Sequence, residues 1–255
     1  MRLGLSRFLT IRQPGFVLRF YPSSLCAALW IDPADHQAEA VFFGKYLRPG
    51  DVVIDVGANV GLTTLAAARA VGDSGRVIAI EPHPRIFRYL RENVALNRAA
   101  NVSLHNFALG NAEGTLLLSD MSADDHNFIA PGAGRLQVPV RRLDQLPIDS
   151  PRIDLLKIDV EGYENYVLQG AAATLQKTVC VYFESWDQHF AKYGYVCSEV
   201  LGCLAAQGFG VYRFSGENRI QPVPGSYTSP VAENLVALRK TEDFLERTGF
   251  RLDAG

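Results

Sequence analysis

The chain has 255 residues, of which 48% are hydrophobic and 20% charged, which suits one generous globular domain with small additions at either end. A formal net charge of −2 does not fit a general polyanion binder, so no nucleic-acid partner is expected. No apolar run is long enough to span a bilayer, and no signal-peptide pattern is found. Cys26, Cys180, Cys197 and Cys203 form neither a CxxC pair nor an even framework, so a reducing cytoplasm is expected. Neighbouring ligands for a zinc site at Cys197 and Cys203 are lacking.

Residues 5–31 alternate irregularly, with turn signals at Gln13-Pro14-Gly15 and Tyr21-Pro22-Ser23-Ser24, and predict two or three short strands. Residues 1–34 are therefore set apart as an N-terminal β extension, whose four arginines suggest a basic hairpin edge. Asp35 opens a helical pattern closed by Pro49-Gly50. Strand and helix then alternate. Val52-Val53-Ile54 reads as a strand buried on both faces, and Leu62–Val71 as a helix ending at Gly72. Arg76–Ile80 follows as a strand, then a helix starting at Pro84 and a strand at Val102–Phe107. Short strands flank a polar loop at 119–134. Ile153–Ile158 is a fourth buried strand, Tyr163–Leu175 a helix and Val179–Phe183 a fifth strand. A helix at 198–207, strands at 209–214 and 235–238 with a Pro/Gly-rich loop between them, and a charged tail at 241–255 complete the chain. This alternation predicts a doubly wound α/β domain over 35–240, with ligands at the carboxyl ends of the strands.

The loop Asp55-Val56-Gly57-Ala58-Asn59-Val60-Gly61 runs from strand into helix. Its glycines permit unusual backbone angles and close approach of a ligand, and the helix start offers free amides to a carboxylate. Asp55 is placed to accept from an ammonium group. Alone, the loop could equally be a tight turn without a ligand. Glu81, ending the second strand, can take both hydroxyls of a ribose. Asn59 occupies the position where a dinucleotide fold usually has glycine, and its side chain would crowd a diphosphate. No Gly-Lys-Ser/Thr follows to make a P-loop. S-adenosylmethionine, a nucleoside without phosphate, fits better.

Four ordered motifs then resemble the FkbM family of methyltransferases: Pro49 to Gly61, Ile80-Glu81-Pro82-His83-Pro84, Asn106-Phe107-Ala108-Leu109-Gly110, and Leu155-Leu156-Lys157-Ile158-Asp159-Val160-Glu161-Gly162-Tyr163-Glu164. The resemblance covers residues 35–185. It implies a class I, Rossmann-like fold with seven mostly parallel strands and a terminal antiparallel hairpin. It also implies S-adenosylmethionine and O-methylation of a hydroxyl on a sugar or secondary metabolite. The cofactor set is then Asp55, Gly57, Ala58, Asn59, Gly61, Glu81, Pro82 and His83, with Asn106, Phe107 and Ala108 against the adenine. Asp125 is expected to close over it.

Asp159 and Glu161 end the fourth strand and face the same crevice. Either can deprotonate a hydroxyl, and oxygen donors also suit magnesium, with Asp159 placed like the metal-binding aspartate of catechol-type methyltransferases. The bland readings are that Asp159 caps the next helix or that Lys157 pairs with a carboxylate. Glu184 ends the fifth strand and is expected to line the acceptor side as a third catalytic carboxylate. Trp186, His189, Phe190, Tyr193 and Tyr195 are core packing or a stacking surface for a substrate ring. The N-terminal hairpin and this aromatic stretch are plausible surfaces for a homo-oligomer. An Asn/Asp-Pro-Pro-Tyr/Phe sequence after the fourth strand is missing, which disfavours N-methylation of bases. The rival readings are an N- or RNA methyltransferase, a nicotinamide-dependent oxidoreductase, and a cofactor-binding module without catalysis.

Overall fold

The computed structural model describes residues 9–32, 37–119, 129 and 136–253. Strands β1 (Thr10–Gln13) and β2 (Phe16–Arg19) pair antiparallel as a hairpin. Of the two or three short strands expected over residues 5–31, two form; Ser24–Ile31 is a helix, α1, started by the Ser23 side chain accepting from the Cys26 amide. Its run Ser-Leu-Cys-Ala-Ala-Leu-Trp-Ile is apolar nearly throughout and carries neither period clearly, so the cap decides.

After α2 (Gln37–Tyr46), the alternating units are β3 (Val52–Val56), α3 (Leu62–Val71), β4 (Arg76–Ile80), α4 (Pro84–Leu96) and β5 (Val102–His105). A small separate sheet follows, built from β6 (Ala108–Leu109), β7 (Gly114–Leu118) and β8 (Leu136–Arg141), with β8 in the middle. The chain returns through β9 (Ile153–Ile158), α5 (Glu164–Gln169), α6 (Ala172–Lys177) and β10 (Thr178–Ser185). Then come α7 (Asp187–Ala191), α8 (Cys197–Ala206), β11 (Gly210–Gly216), β12 (Arg219–Pro222), β13 (Glu233–Leu238), α9 (Thr241–Thr248) and β14 (Arg251–Leu252).

The main sheet runs β14-β12-β11-β13-β10-β9-β3-β4-β5. Strands β5, β4, β3, β9 and β10 are mutually parallel, and β13 is antiparallel to both β10 and β11. From β3 the chain winds outward to β5, then returns to the other side of β3 as β9. That reversal opens a crevice at the carboxyl ends of β3 and β9.

Every residue of β9 is buried, as a strand covered on both faces requires. Alternate residues point to opposite layers. Ile54, Leu156, Val181 and Phe183 pack with Val167, Leu175, Phe190 and Leu201, whereas Val53, Leu155, Cys180 and Tyr182 pack with Phe42, Phe43, Val71 and Phe244. Among the described residues, no helix is long and apolar enough to cross a membrane.

The sheet is two strands wider than the seven expected, and the charged C-terminal stretch is partly helical and packs on the domain. Residues of β14 pair parallel with β12. In α9, Phe244 is 2% exposed and its ring lies 5.7 Å from that of Tyr46 and 6.2 Å from that of Phe42. Phe244, with Leu245 beside it, anchors a helix otherwise made of Thr, Glu, Asp and Arg. Phe244→Ala should therefore lower unfolding free energy by about 3–5 kcal/mol, measured by urea denaturation, and free α9 from α2.

Candidate active site

The loop after β3 is shaped by its neighbours as much as by a ligand. The Gly57 and Ala58 amides donate to the Ile80 carbonyl, at 3.0 and 3.1 Å, which bends the chain across the end of β4. Gly57 has φ +80°, and a Cβ there would lie 1.8 Å from the Asp159 carbonyl oxygen, so β9 can approach only a glycine. Asn59 takes the left-handed conformation that asparagine tolerates, and its Oδ1 accepts from the Val60 amide at 2.7 Å. Gly61 then caps α3.

Asp55 is 1% exposed, and its Oδ2 accepts from the hydroxyls of Thr63 and Thr64, at 2.9 and 2.6 Å. Its Oδ1 faces Lys157 Nζ at 3.4 Å. The Asp55 carboxylate, read from the sequence as facing a ligand's ammonium group, is met inside the fold by Thr63, Thr64 and the Lys157 ammonium, and its Oδ1 accepts no hydrogen bond among the described residues. Lys157 is the residue that sequence reading undervalued. Its Nζ lies 3.3 Å from Asp159 Oδ2 and donates to the Gly57 carbonyl at 3.1 Å. Burial alone would lower the Lys157 pKa, but Asp159, Asp55 and Glu39 outweigh it and hold the ammonium charged. A lysine inside an otherwise apolar buried strand was the available signal.

A cavity of about 410 Å³ opens beside this knot, a size suited to a small-molecule site. Its near wall is Gly57, Ala58 and Asn59, with Glu81, Pro82 and His83 from the end of β4. Glu81 Oε2 accepts from the Asn59 amide at 3.0 Å and Oε1 from the His83 amide at 2.8 Å. Each oxygen keeps a lone pair for a further donor, as two ribose hydroxyls would supply. Burial pushes Glu81 up to about 7 despite the His83 and Asn59 amides. His83 itself caps α4, its Nδ1 accepting from the Arg85 amide. Phe107 and Ala108 form an apolar wall with Leu109, Leu118 and Ile129. Asn106 acts one layer back, its amide donating to the Glu81 and Pro82 carbonyls at 2.8 and 3.0 Å. Ribose acceptors beside a flat apolar wall fit an adenosine moiety, and the α3 amino end offers amides to a carboxylate. Asp125 lies outside the described residues.

The far wall holds Asp159, Glu161, Tyr163 and Glu184, with Glu39 entering from α2. Asp159 does not cap α5; that turn is served by Glu164, whose Oε1 accepts from the Val160 and Gly162 amides at 3.0 and 3.3 Å. The Lys157 pairing considered for this segment is the one formed. Asp159 is accordingly not part of the metal-type donor group found here, which consists of Glu161, Glu184 and His189. Glu161 Oε2 lies 3.4 Å, and Glu184 Oε2 3.3 Å, from His189 Nδ1. Glu161 has φ +58°, and Gly162 has φ +101° with a would-be Cβ 2.5 Å from the His189 carbonyl oxygen. The two left-handed residues swing the chain so that Glu161 meets β10 and α7. Burial, then the neighbouring Asp159 and Glu184, pushes Glu161 up to about 9.

The aromatic stretch packs. Phe190 and Tyr195 are buried and stacked at 5.0 Å, the Trp186 ring sits 4.2 Å from that of His189, and Tyr193 Oη donates to the Ile129 carbonyl at 2.8 Å. Neither Glu39 nor His189 stood out as chemistry in the sequence, because each reaches the site only through tertiary packing.

The family model described as the methyltransferase FkbM domain matches residues 55–251. The chain belongs to the FkbM methyltransferase family. Its central sheet is that of a class I, S-adenosylmethionine-dependent methyltransferase, with β12 and β14 added at one edge. It is 30% identical over 202 residues to methyltransferase sdnD of Sordaria araneosa, covering 65% of this chain and 76% of that protein. It is 29% identical over 143 residues to Methyltransferase 1 of Beauveria bassiana (strain ARSEF 2860), covering 46% of this chain but only 57% of that protein. The solved structure of methyltransferase FkbM from Methylobacillus flagellatus KT aligns with a TM-score of 0.48 and 15% identity, over 78% of this chain and 50% of that one.

Two outcomes follow for this family member. Lys157→Met leaves Asp55 and Asp159 without their cation and should cost about 3–5 kcal/mol in urea unfolding. Glu161 has a folded pKa, about 9, above its unfolded value near 4.5, so the folded state binds more protons between those limits. Stability should therefore fall as pH rises from 5 to 9, and Glu161→Gln should flatten that slope in denaturation curves taken across the range.

Proposed function

We propose that this methyltransferase transfers its methyl group to a hydroxyl oxygen of a sugar or other small hydroxylated metabolite. The observation that carries the reading is that Glu161 and Glu184, from the ends of adjacent strands, line the same cavity as the glycine loop and Glu81. S-adenosylmethionine, when bound, supplies an electrophilic methyl on a sulfonium centre. The chain's residues then have separate tasks. Glu81 holds the ribose, Phe107 and Ala108 flank the base, and the loop from Gly57 to Gly61 with the start of α3 holds the carboxylate. Asp55 and Lys157 keep that loop in place.

On the acceptor side, a hydroxyl must be aligned with the methyl and relieved of its proton. Glu161 and Glu184 can accept a hydroxyl hydrogen at a carboxylate oxygen. Burial makes ionised Glu161 a stronger base than a solvated glutamate. A hydroxyl, with a pKa far above neutrality, needs such a base more than an amine does. Glu39 and Asn234 extend the lining with polar groups able to orient a sugar-like acceptor.

The test is transfer of a labelled methyl from S-adenosylmethionine to a panel of hydroxylated sugars and metabolites, with S-adenosylhomocysteine binding measured alongside. Glu161→Gln and Glu184→Gln should lose roughly 10²–10⁴-fold in kcat while binding S-adenosylhomocysteine within about twofold of the parent. Activity of the parent should rise between pH 7 and 9, as Glu161 loses its proton, and Glu161→Gln should remove that rise. Full activity of both variants, or methylation confined to amines, would refute the reading.

A further inference from the structure

Glu161, Glu184 and His189 each bring one ligand atom to within 4.8 Å of the others. They come from three separate places: the turn after β9, the end of β10, and α7. The arrangement is enforced by backbone, because only the missing Cβ of Gly162 lets the His189 carbonyl close on the Glu161 turn. A second feature points the same way. Glu164 is fully buried and its Oε2 has no hydrogen-bond partner, while Oε1 is tied to the amides on either side of Glu161. A buried carboxyl oxygen without a donor, beside two further carboxylates, is relieved either by its own proton, which burial favours at Glu164, or by a nearby cation.

We propose that Glu161, Glu184 and His189 hold a divalent first-row transition-metal cation at the acceptor end of the cavity. Magnesium prefers oxygen donors throughout, whereas an imidazole beside two carboxylates suits first-row transition metals, of which manganese(II) is a spectroscopically visible probe. Asp159 is excluded from the set because its oxygen is paired with the Lys157 ammonium, which would repel a cation. Three protein donors leave half of an octahedral sphere open on the cavity side. An acceptor with two adjacent oxygens, a vicinal diol or an ortho-dihydroxy ring, matches that opening. This inference rests on the acceptor-pocket reading proposed above and narrows its substrate class; with the ion bound, Glu161 and Glu184 would serve as its ligands in place of the free bases described there.

The experiment is titration of the chelator-treated, full-length protein with manganese(II), following loss of the free-ion electron paramagnetic resonance signal. S-adenosylhomocysteine binding is measured on the same samples. One ion per chain is expected, with affinity lowered at least tenfold in Glu161→Gln and Glu184→Gln. If His189→Ala loses S-adenosylhomocysteine binding, and with it evidence of folding, Glu184→Gln carries the test. No saturable manganese binding by a parent protein that still binds S-adenosylhomocysteine overturns the cation site and leaves the methyltransferase reading standing. Parent-like manganese affinity in both Glu161→Gln and Glu184→Gln overturns the assignment of ligands. Failure of the parent to bind S-adenosylhomocysteine counts against the cofactor pocket itself.

Discussion

A lysine with 2% of its side chain exposed sits where the sheet changes winding direction, and its Nζ must be answered from every side. Lys157 draws Asp55 from β3, Asp159 from the end of its own strand and the Gly57 carbonyl into one knot. A buried ammonium without these partners would cost several kcal/mol, so the three groups cannot drift apart without penalty. The crevice at the switch point is consequently rigid where a more usual sheet would have only apolar packing. The same closeness places the Asp159 carbonyl against Gly57, which is why that position can carry no side chain. One charge cluster thus fixes the glycine loop, the end of β9 and the direction in which the chain leaves both.

From that fixed point the cavity divides into two chemically distinct ends. On one side, the amide bonds from Asn59 and His83 hold Glu81 toward a ribose, and an apolar wall follows. On the other side, two consecutive left-handed residues, Glu161 and Gly162, turn the chain toward β10 and α7. Backbone strain of this kind persists only where the surroundings determine it, and here Glu164 and His189 supply the restraint. Carboxylates accumulate at this end while Lys157 is spent on Asp55 and Asp159. The result is a cofactor half with one carboxylate, Glu81, held among backbone dipoles, and an acceptor half where Glu161 and Glu184 meet.

How much of this could be read from the amino-acid order depends on whether a feature is local. The strands β3, β4, β9 and β10 were legible because runs such as Val52-Val53-Ile54 have no polar break, and the glycine loop was legible because one short segment carries it. Helix α1 was misread since its apolar run has no clear period and the deciding Ser23 cap lies outside it. Strands β12 and β14 escaped notice because they are short and largely polar, although β12 pairs with β11 through a tight hairpin and only β14 joins from further along the chain. In the site, Glu81 could be placed by its position after a strand, but the role of Asp55 could not. Its threonine and lysine partners lie up to 102 positions away and leave no spacing signature.

The same locality separates the two ends of the cavity. The cofactor end is made within single strand-loop-helix units, so its residues can be read from one motif. The acceptor end needs the turn after β9, the tip of β10, α7 and α2 to converge, and each can change without disturbing the knot at Lys157. Its acidic character disfavours an anionic acceptor such as a phosphate chain, since like charges in a partly buried pocket repel strongly. A neutral polyhydroxylated molecule meets no such penalty and offers the donors and oxygens that Glu161, Glu184 and Glu39 can bind. The carboxylates that converge at the acceptor end and the glycine loop therefore face each other across one cavity, each held by a different part of the chain.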